Sequence, residues 1–476
     1  MVDTARLPLY VDLDGTLIAA DVLHEPLARL PRMAPWALLA LPLWLARGKA
    51  VLKRELADRV DIDVTTLPYR PEVLEMIRSA RDEGRRVVLA TASDEKFALS
   101  VARHLGLFDA VLASDGEQNL SGVTKLEAIK VDADGASFGY IGDHAVDLPI
   151  WREADHAVVL CRTGKLAERA ARHTAATTHL KIPSAGLHRY LYGLRIHQWL
   201  KNILIFVPLM PVLHYLDATI LSNACIAFLA FGLMASSIYV LNDLLDLEAD
   251  RRHKRKKFRP FASGEIPIAQ GMWMSMVLAS ASLLLSALLL PWLFMAVLLF
   301  YTALTLAYSL FFKRRGLVDA FALAGLYTVR VGAGAAACGL PLSFWMLFFS
   351  IFLFLSLALA KRYVELLGTQ EEIDRMSRER GYHAVDRPFV LCSGIAAGQM
   401  SALLLSLYLN DHDMMSRYSR PELLWALVPV FLFWILRIWL KAVRDALHDD
   451  PVVFAARDWV SQLTVCIGAV VLWAAG

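Results

Sequence analysis

The sequence predicts two fold classes in one chain: an α/β domain with a parallel sheet and a helical cap, then an all-α domain of nine membrane-spanning helices. Three observations lead there. Up to about residue 185, short apolar runs ending in polar turns alternate with helical stretches. From about Trp199, apolar stretches of bilayer-crossing length follow one another. The composition, 57% hydrophobic and 20% charged, fits a soluble part joined to a membrane part.

A chain of 476 residues is too long for one ordinary domain. The expected divisions are 1–165 for the α/β domain with its cap at about 18–80, 166–190 for a linker and interfacial helix, and 191–476 for the membrane domain. LPLYVDLDG, RRVVLATAS, FDAVLAS, SFGYIGD and HAVVLC read as strands, with PEVLEMIRSARDEG and EKFALSVARHLG as helices between them. Such alternation implies a parallel sheet with reactive residues at the strand ends. The run APWALLALPLWLARG, 34–48, is too short and too proline-broken to span a bilayer. It is core of the cap, or it rests on the membrane surface.

Spans are expected near 199–216, 221–241, 272–290, 292–312, 317–338, 342–360, 389–409, 421–440 and 459–475. The first contains Pro208 and Pro211 and the fifth contains Arg330. Membrane helices tolerate proline where neighbours satisfy the backbone. Basic residues crowd the loops after spans two, four, six and eight, whereas the opposite loops hold little beyond Arg417 and Arg420. This positive-inside pattern puts the N-terminal domain and the basic loops in the cytoplasm. The opening MVDTARLPLYVDLDGTL has no cleavable apolar stretch, which agrees. Net charge is only +3 and the basic residues flank spans, so nucleic acid is not an expected partner. Cys161, Cys225, Cys338, Cys392 and Cys466 are scattered, which argues against a disulfide framework or structural zinc.

The first strand ends in Asp12-Leu13-Asp14-Gly15-Thr16. Two carboxylates two residues apart can divide the labour: one attacks phosphorus, the other protonates the leaving oxygen and then activates water. A magnesium ion is needed between an anionic nucleophile and an anionic phosphate. Thr91 ends a later strand and can hydrogen-bond a phosphoryl group, unless it only packs there. Lys125 can neutralise phosphate and nucleophile, and Asp143 and Asp147 follow another strand. These four elements, in this order over about 7–165, resemble the phosphatases of the haloacid dehalogenase superfamily. The resemblance implies a Rossmann-like fold with Asp12 as nucleophile and Asp14 as acid and base. Magnesium would sit on Asp12, the Asp14 main-chain carbonyl and Asp143, with Asp147 in support. The competing reading is a catalytically dead domain.

The second expected span ends in Asn242-Asp243-Leu244-Leu245-Asp246-Leu247-Glu248-Ala249-Asp250. The spacing of Asp243, Asp246 and Asp250 predicts one shared helix face. Carboxylates at a membrane face are costly without a task, and their chemistry suits magnesium and diphosphate. The basic run RRHKRKKFRP, which includes Arg259, can hold an anionic substrate. The pattern resembles the UbiA superfamily of intramembrane transferases over about 190–476. Most members move a prenyl group from a prenyl diphosphate to an aromatic ring and carry a second DxxxD motif. Here that region reads Lys361-Arg362-Tyr363-Val364-Glu365. LRIHQWLKNILIFVPL, YTALTLAYSLFFKRR, GLVDAFALAGLYTVRVGAGAAA and DDPVVFAARDWVS further resemble the decaprenyl-phosphate phosphoribosyltransferases.

That resemblance implies magnesium-dependent transfer of 5-phosphoribose from phosphoribosyl diphosphate to a polyprenyl phosphate, in a bacterial inner membrane, with both sites cytoplasmic and at least one Mg2+ in each. Phosphate-rich substrates call for cations, and the candidates are Arg195, Lys201, Arg259, Lys313, Arg330, Lys361 and Arg362, with Asn242, Tyr308 and Glu365 beside them. An internal ion pair for Arg330, a topology charge for Lys313 and an interfacial aromatic for Tyr308 are the competing readings. Removal of the 5-phosphate by the N-terminal domain would complete a bifunctional enzyme. The alternative is an aromatic prenyltransferase joined to an unrelated phosphatase or a docking module. The sequence leaves homo-oligomerisation open.

Overall fold

Six parallel strands carry the N-terminal half of the computed structural model, which describes residues 7–172, 174, 176–215, 217–447 and 451–476. They are β1 (Leu9–Val11), β2 (Val87–Asp94), β3 (Ala110–Ser114), β4 (Gly139–Gly142), β5 (His156–Cys161) and β6 (Ala176–Lys181), in the order β3-β2-β1-β4-β5-β6. Leu9 pairs with Val87 on one side and Gly139 on the other. β1 is buried throughout because both sheet faces are covered. Leu9, Val11, Leu89 and Ile141 pack against Ile77 and Val101 on one face. Tyr10, Val88, Tyr140 and Val159 pack against Ile129 and Trp151 on the other. The period-two alternation of a strand produces this division.

Between β1 and β2 lie α1 (His24–Met33), a tight-turn segment Pro35–Ala40, α2 (Leu41–Arg47), α3 (Lys49–Arg59) and α4 (Pro71–Asp82). The first helices form the cap and α4 returns the chain to the sheet. The crossovers are completed by α5 (Glu95–Leu105), α6 (Val123–Asp132), α7 (Leu148–Glu153) and α8 (Lys165–Ala171), and α9 (Leu187–Gly193) follows the last strand. Asp94 caps α5 by accepting from the Lys96 amide, and Gly106 ends it in the left-handed region.

The described residues form two compact units. The first holds the chain up to Leu194 together with Tyr239–Ser275; the second holds Arg195–Ile238 and Met276–Gly476. Division by packing therefore differs from division by sequence, because the loop after the second expected span packs with the α/β part. The reason is an apolar cluster in which Ala28 of α1 joins Val240, Leu244, Leu247, Phe261, Ile266 and Ile268.

The remaining helices are α10 (Ala218–Leu245), α11 (Leu247–Arg252), α12 (Ile268–Leu289), α13 (Trp292–Leu310), α14 (Val318–Cys338), α15 (Phe344–Leu366), α16 (Gln370–Arg380), α17 (Arg387–Leu409), α18 (His412–Met415), α19 (Leu427–Val443), α20 (Pro451–Arg457) and α21 (Trp459–Ala475). Among the described residues, seven helices are long and apolar enough to cross a membrane: α10, α12, α13, α14, α15, and the helices containing α17 and α19. The first expected span is instead Ile196–Tyr215, wound in tight turns around Pro208 and Pro211. The ninth is α21, an apolar helix of 17 residues. α14 is rich in small residues, and these let neighbours approach closely. A Cβ on Gly334 would lie 1.9 Å from the Ile205 carbonyl oxygen, so only glycine fits that crossing.

Candidate functional site

The carboxyl ends of β1, β2 and β4 lie side by side, as the strand order requires, and bring Asp12, Thr91 and Asp143 to one edge. Asp12 accepts from the Leu13 amide at 2.9 Å and from Lys125 Nζ at 3.0 Å. Lys125 also donates to the Tyr140 hydroxyl at 3.0 Å and lies 3.6 Å from Asp147. Tyr140 in turn donates to Asp147 at 3.1 Å. Asp14 accepts from the Val22 amide at 2.7 Å and from the Ser93 hydroxyl at 2.5 Å. Thr91 is fully buried and its hydroxyl oxygen accepts from the Ser93 amide.

This is a nest of acids around one lysine. Burial, which outweighs the charge of Lys125, pushes Asp12 up to about 6. Burial and the charge of Asp21 raise Asp14 to about 7. Burial and the charge of Asp12 raise Asp143 to about 8. For Lys125, burial acts downward, yet Asp12 and Asp147 carry it above its ordinary value. A carboxylic acid near 7 suits a group that must both give and take a proton.

Among the described residues, one group of acidic side chains brings metal-ligating oxygens within 4.8 Å of one another: Asp12, Asp143 and Asp147. Asp147 Oδ2 is buried and has no hydrogen-bond partner. A buried carboxylate oxygen left in that state fits a cation. Gly15 lies in the left-handed region at φ +73°, and a Cβ there would fall 2.2 Å from Asp143 Oδ2. The turn is thus shaped around that carboxylate. Both Asp14 side-chain oxygens are engaged, one by the Val22 amide and the other by the Ser93 hydroxyl.

Three participants escaped the sequence reading. Ser93 reaches Asp14 because the β2–β3 register shifts between Ala90 and Asp94. Its signal was its place two residues after Thr91. Lys53, from cap helix α3, donates to the Ala92 carbonyl at 2.5 Å and to Asn119 at 2.7 Å. Tyr140 links Lys125 to Asp147. Neither Lys53 nor Tyr140 had a signal in local spacing.

The aspartate-rich loop corrects an expectation. Asp243, Asp246 and Asp250 do not share a continuous helix face: α10 ends at Leu245 and α11 begins at Leu247, with Asp246 between them at φ −103°, ψ 13°. Asp243 and Asp250 converge on Arg259 Nη1, at 3.0 and 2.5 Å. Asp246 turns to Arg32 of α1, 3.2 Å away. Glu248 pairs with Arg29 at 2.7 Å, and Arg251 with Glu25 at 2.5 Å. The break therefore lies where this stretch pairs with the cap. Asp243 and Asp250 are thus brought together through Arg259, whereas Asp246 is held apart from them by Arg32. Asn242 is half-buried beside them.

In the second unit, Arg330 is buried on α14. It donates to Asn202 at 3.0 Å, to the Tyr301 hydroxyl at 3.1 Å and to the Leu326 carbonyl. Its guanidinium also faces the rings of Phe231, Tyr301 and Tyr327. Lys201 Nζ lies 5.7 Å from the Tyr327 ring centre. A second set surrounds Asp319. Arg362 reaches it through Nε at 2.5 Å and Nη2 at 3.2 Å, and Tyr308 donates to it at 2.8 Å. Arg362 also meets Glu365 at 2.6 Å, and Arg380 lies 3.4 Å from Asp319. The guanidinium of Arg362 is therefore held by this chain's own carboxylates. Lys313 and Lys361 are half-buried, and Arg195 has a positive φ of 52° at the start of the unit.

The haloacid dehalogenase-like hydrolase family profile matches residues 9–152, and the UbiA prenyltransferase family profile matches 206–376. Over 470 residues the chain is 39% identical to the uncharacterized protein y4nM of Sinorhizobium fredii, covering 98% of this chain and 90% of that one. It belongs to the UbiA family, with a haloacid dehalogenase-like domain fused ahead. This UbiA protein is also 34% identical to nodulation protein NoeC of Azorhizobium caulinodans, over 58% of this chain and 89% of NoeC. A decaprenyl-phosphate phosphoribosyltransferase of Corynebacterium glutamicum is 36% identical over 46% of this chain and 68% of its own length. With seven long apolar helices among the described residues, the UbiA protein is a multi-pass membrane protein.

Proposed function

We propose that the chain makes a lipid-linked sugar phosphate and then dephosphorylates it. The membrane domain would transfer 5-phosphoribose from phosphoribosyl diphosphate to a polyprenyl phosphate. The N-terminal domain would remove the 5-phosphate, leaving polyprenyl-phosphoryl-ribose. The observation that carries this reading is the likeness to a decaprenyl-phosphate phosphoribosyltransferase, joined to Lys361-Arg362-Tyr363-Val364-Glu365 where prenyl-transferring relatives have a second DxxxD.

In the transfer, a lipid phosphate oxygen attacks the anomeric carbon, the bond from that carbon to diphosphate breaks, and the configuration inverts. Asp243, Asp246 and Asp250 would hold the metal for the diphosphate. Arg195, Lys201, Asn242, Arg259, Lys313, Arg330 and Lys361 are the candidate phosphate contacts. Asp319 holds Arg362 and Tyr308 in place. In the hydrolysis, Asp12 attacks phosphorus while Asp14 gives its proton to the departing sugar oxygen. Asp14 then takes a proton from the water that cleaves the aspartyl phosphate. Lys125 balances the charge of Asp12, and Thr91 and Ser93 flank the phosphoryl group. Magnesium bound at each site would neutralise phosphate charge, held in the soluble domain by Asp12, Asp143 and the Asp14 carbonyl.

Tethering gives the phosphatase a high effective concentration of a membrane-bound product. The bacterial relatives favour a bacterial inner-membrane location, and the basic loops favour a cytoplasmic placement of both sites. Prenyl transfer to an aromatic acceptor is the second reading, and its prenyl-transfer part is favoured by the name of the matching UbiA prenyltransferase family. Substituting Asp243→Asn tests the assignment: label from phosphoribosyl diphosphate should no longer enter the lipid fraction, while hydrolysis of p-nitrophenyl phosphate continues. Full transfer by this variant would sink it.

A further inference from the structure

The cap carries an apolar face with no charged residue from Met33 to Ala46. Met33, Trp36, Leu38, Leu39, Leu43 and Leu45 are all exposed, Leu39 to 88% and Trp36 to 62%. Between them Ala34, Ala37 and Trp44 turn inward onto Leu30, Leu56 and Val60. The segment is therefore two-sided: one side is cap core and the other is bare hydrocarbon. A face of this kind is unusual on a water-facing domain. The exposed residues Arg32, Arg47 and Lys49 flank it, and the guanidinium of Arg59 lies 5.6 Å from the Trp36 ring centre. Aromatic and aliphatic side chains bordered by basic ones make up an interfacial membrane element.

A second observation points to lipid as what covers this face. Arg32, the residue before it, lies 3.2 Å from Asp246, at the end of α10. α10 is one of the helices long and apolar enough to cross a membrane. Arg29, one turn earlier, is 2.7 Å from Glu248. The apolar segment thus starts beside the mouth of a bilayer-crossing helix, where lipid headgroups are close. The inner side of the same segment packs on Leu56, with Leu23 at its margin. Both residues also line a small cleft with Lys53 and Ser93, and Ser93 donates to Asp14.

We propose that the face from Met33 to Leu45 seats in the membrane surface, so that the phosphatase site takes phosphomonoesters carried on lipids. The substrate class follows from the placement: the segment that meets the headgroups packs directly on Leu56, a residue of the cleft wall. This rests on the phosphatase half of the proposed function; the kinetic arm of the test also takes its lipid substrate from the transferase half, while the crosslinking arm needs neither.

The test uses the full chain in nanodiscs of phosphatidylcholine and phosphatidylglycerol. A photo-crosslinking p-benzoylphenylalanine at position 39 should give lipid adducts, and the same residue at exposed Val131 on α6 should not. In parallel, Leu39→Glu with Leu43→Glu should lower kcat/KM by about tenfold or more for synthetic polyprenyl-phosphoryl-5-phosphoribose in the disc. Hydrolysis of soluble p-nitrophenyl phosphate should be unchanged. Protein adducts at position 39 in place of lipid adducts, or equal losses on both substrates, overturn the proposal. If the wild-type chain hydrolyses neither substrate, the phosphatase reading itself has failed, and the adducts at position 39 still decide whether this face meets lipid.

Discussion

Replacing Glu25 by glutamine probes how the cap is fastened to the aspartate-rich loop. Glu25 Oε1 and Arg251 Nη2 are 2.5 Å apart, with side chains 3% and 6% exposed. Solvent cannot screen this pair, and the substitution leaves the arginine charge buried. Breaking such a pair costs about 3–5 kcal/mol. Arg251 keeps one bond, to the Ala262 carbonyl at 2.9 Å, so the low end, about 3 kcal/mol, is expected. The Arg32–Asp246 pair has side chains 42% and 33% exposed and should contribute less than about 0.5 kcal/mol. Hydrogen exchange reads both locally. At equilibrium opening, about 3 kcal/mol becomes about 150-fold faster exchange of the α11 amides. Arg32→Gln should stay within about twofold. The double substitution Glu25→Met with Arg251→Met should recover most of the protection. Equal effects of Glu25→Gln and Arg32→Gln, or none for Glu25→Gln, would refute the reasoning.

Three further outcomes follow from the two sites. Burial lifts Asp14 to about 7, above its unfolded value of 3.8, so the stability it contributes is present at low pH and is lost as pH rises through about 7. Its proton is available below that pH, so hydrolysis of alkyl phosphates should decline as pH rises past about 7; p-nitrophenyl phosphate, whose leaving group needs no proton, should decline much less, and matching profiles would contradict the acid role. Gly15→Ala forces a Cβ to 2.2 Å from Asp143 Oδ2 at a positive φ, so magnesium should bind less tightly by about tenfold or more in a metal titration, with wild-type affinity as the refuting result. Asp319→Asn should leave Arg362 short of a buried partner, abolishing lipid-linked transfer and lowering the thermal midpoint while p-nitrophenyl phosphate hydrolysis persists; unaltered transfer would contradict the positioning role.

The phosphatase-type site was legible because a parallel sheet converts sequence order into place. Asp12, Thr91 and Asp143 each follow an apolar run, and the strand order sets those ends together. Lys125 was legible by its order among these elements. Ser93 depended on a register shift in β2, and Lys53 on how the cap docks, neither of which is written in local periodicity. In the membrane half, span length was readable but the winding of Ile196–Tyr215 was not. The three-four spacing of Asp243, Asp246 and Asp250 pointed to one helix face, yet Arg32, more than 200 residues earlier, holds Asp246 where the helix breaks. Asp319 and Arg362 are 43 residues apart, and only packing shows that they meet. The segment after Met33 left two readings open, core or membrane surface, and its two sides now divide them: Ala37 and Trp44 face in, Leu39 and Leu43 face out.

The most direct test of the two-step account is a mass measurement. The chain in nanodiscs is given phosphoribosyl diphosphate, polyprenyl phosphate and Mg2+, and the lipid products are weighed. The account predicts that the wild-type chain yields lipid carrying ribose without the 5-phosphate, and that Asp12→Asn yields lipid carrying ribose 5-phosphate. No lipid product from phosphoribosyl diphosphate, together with transfer from a prenyl diphosphate to an aromatic acceptor, would contradict it.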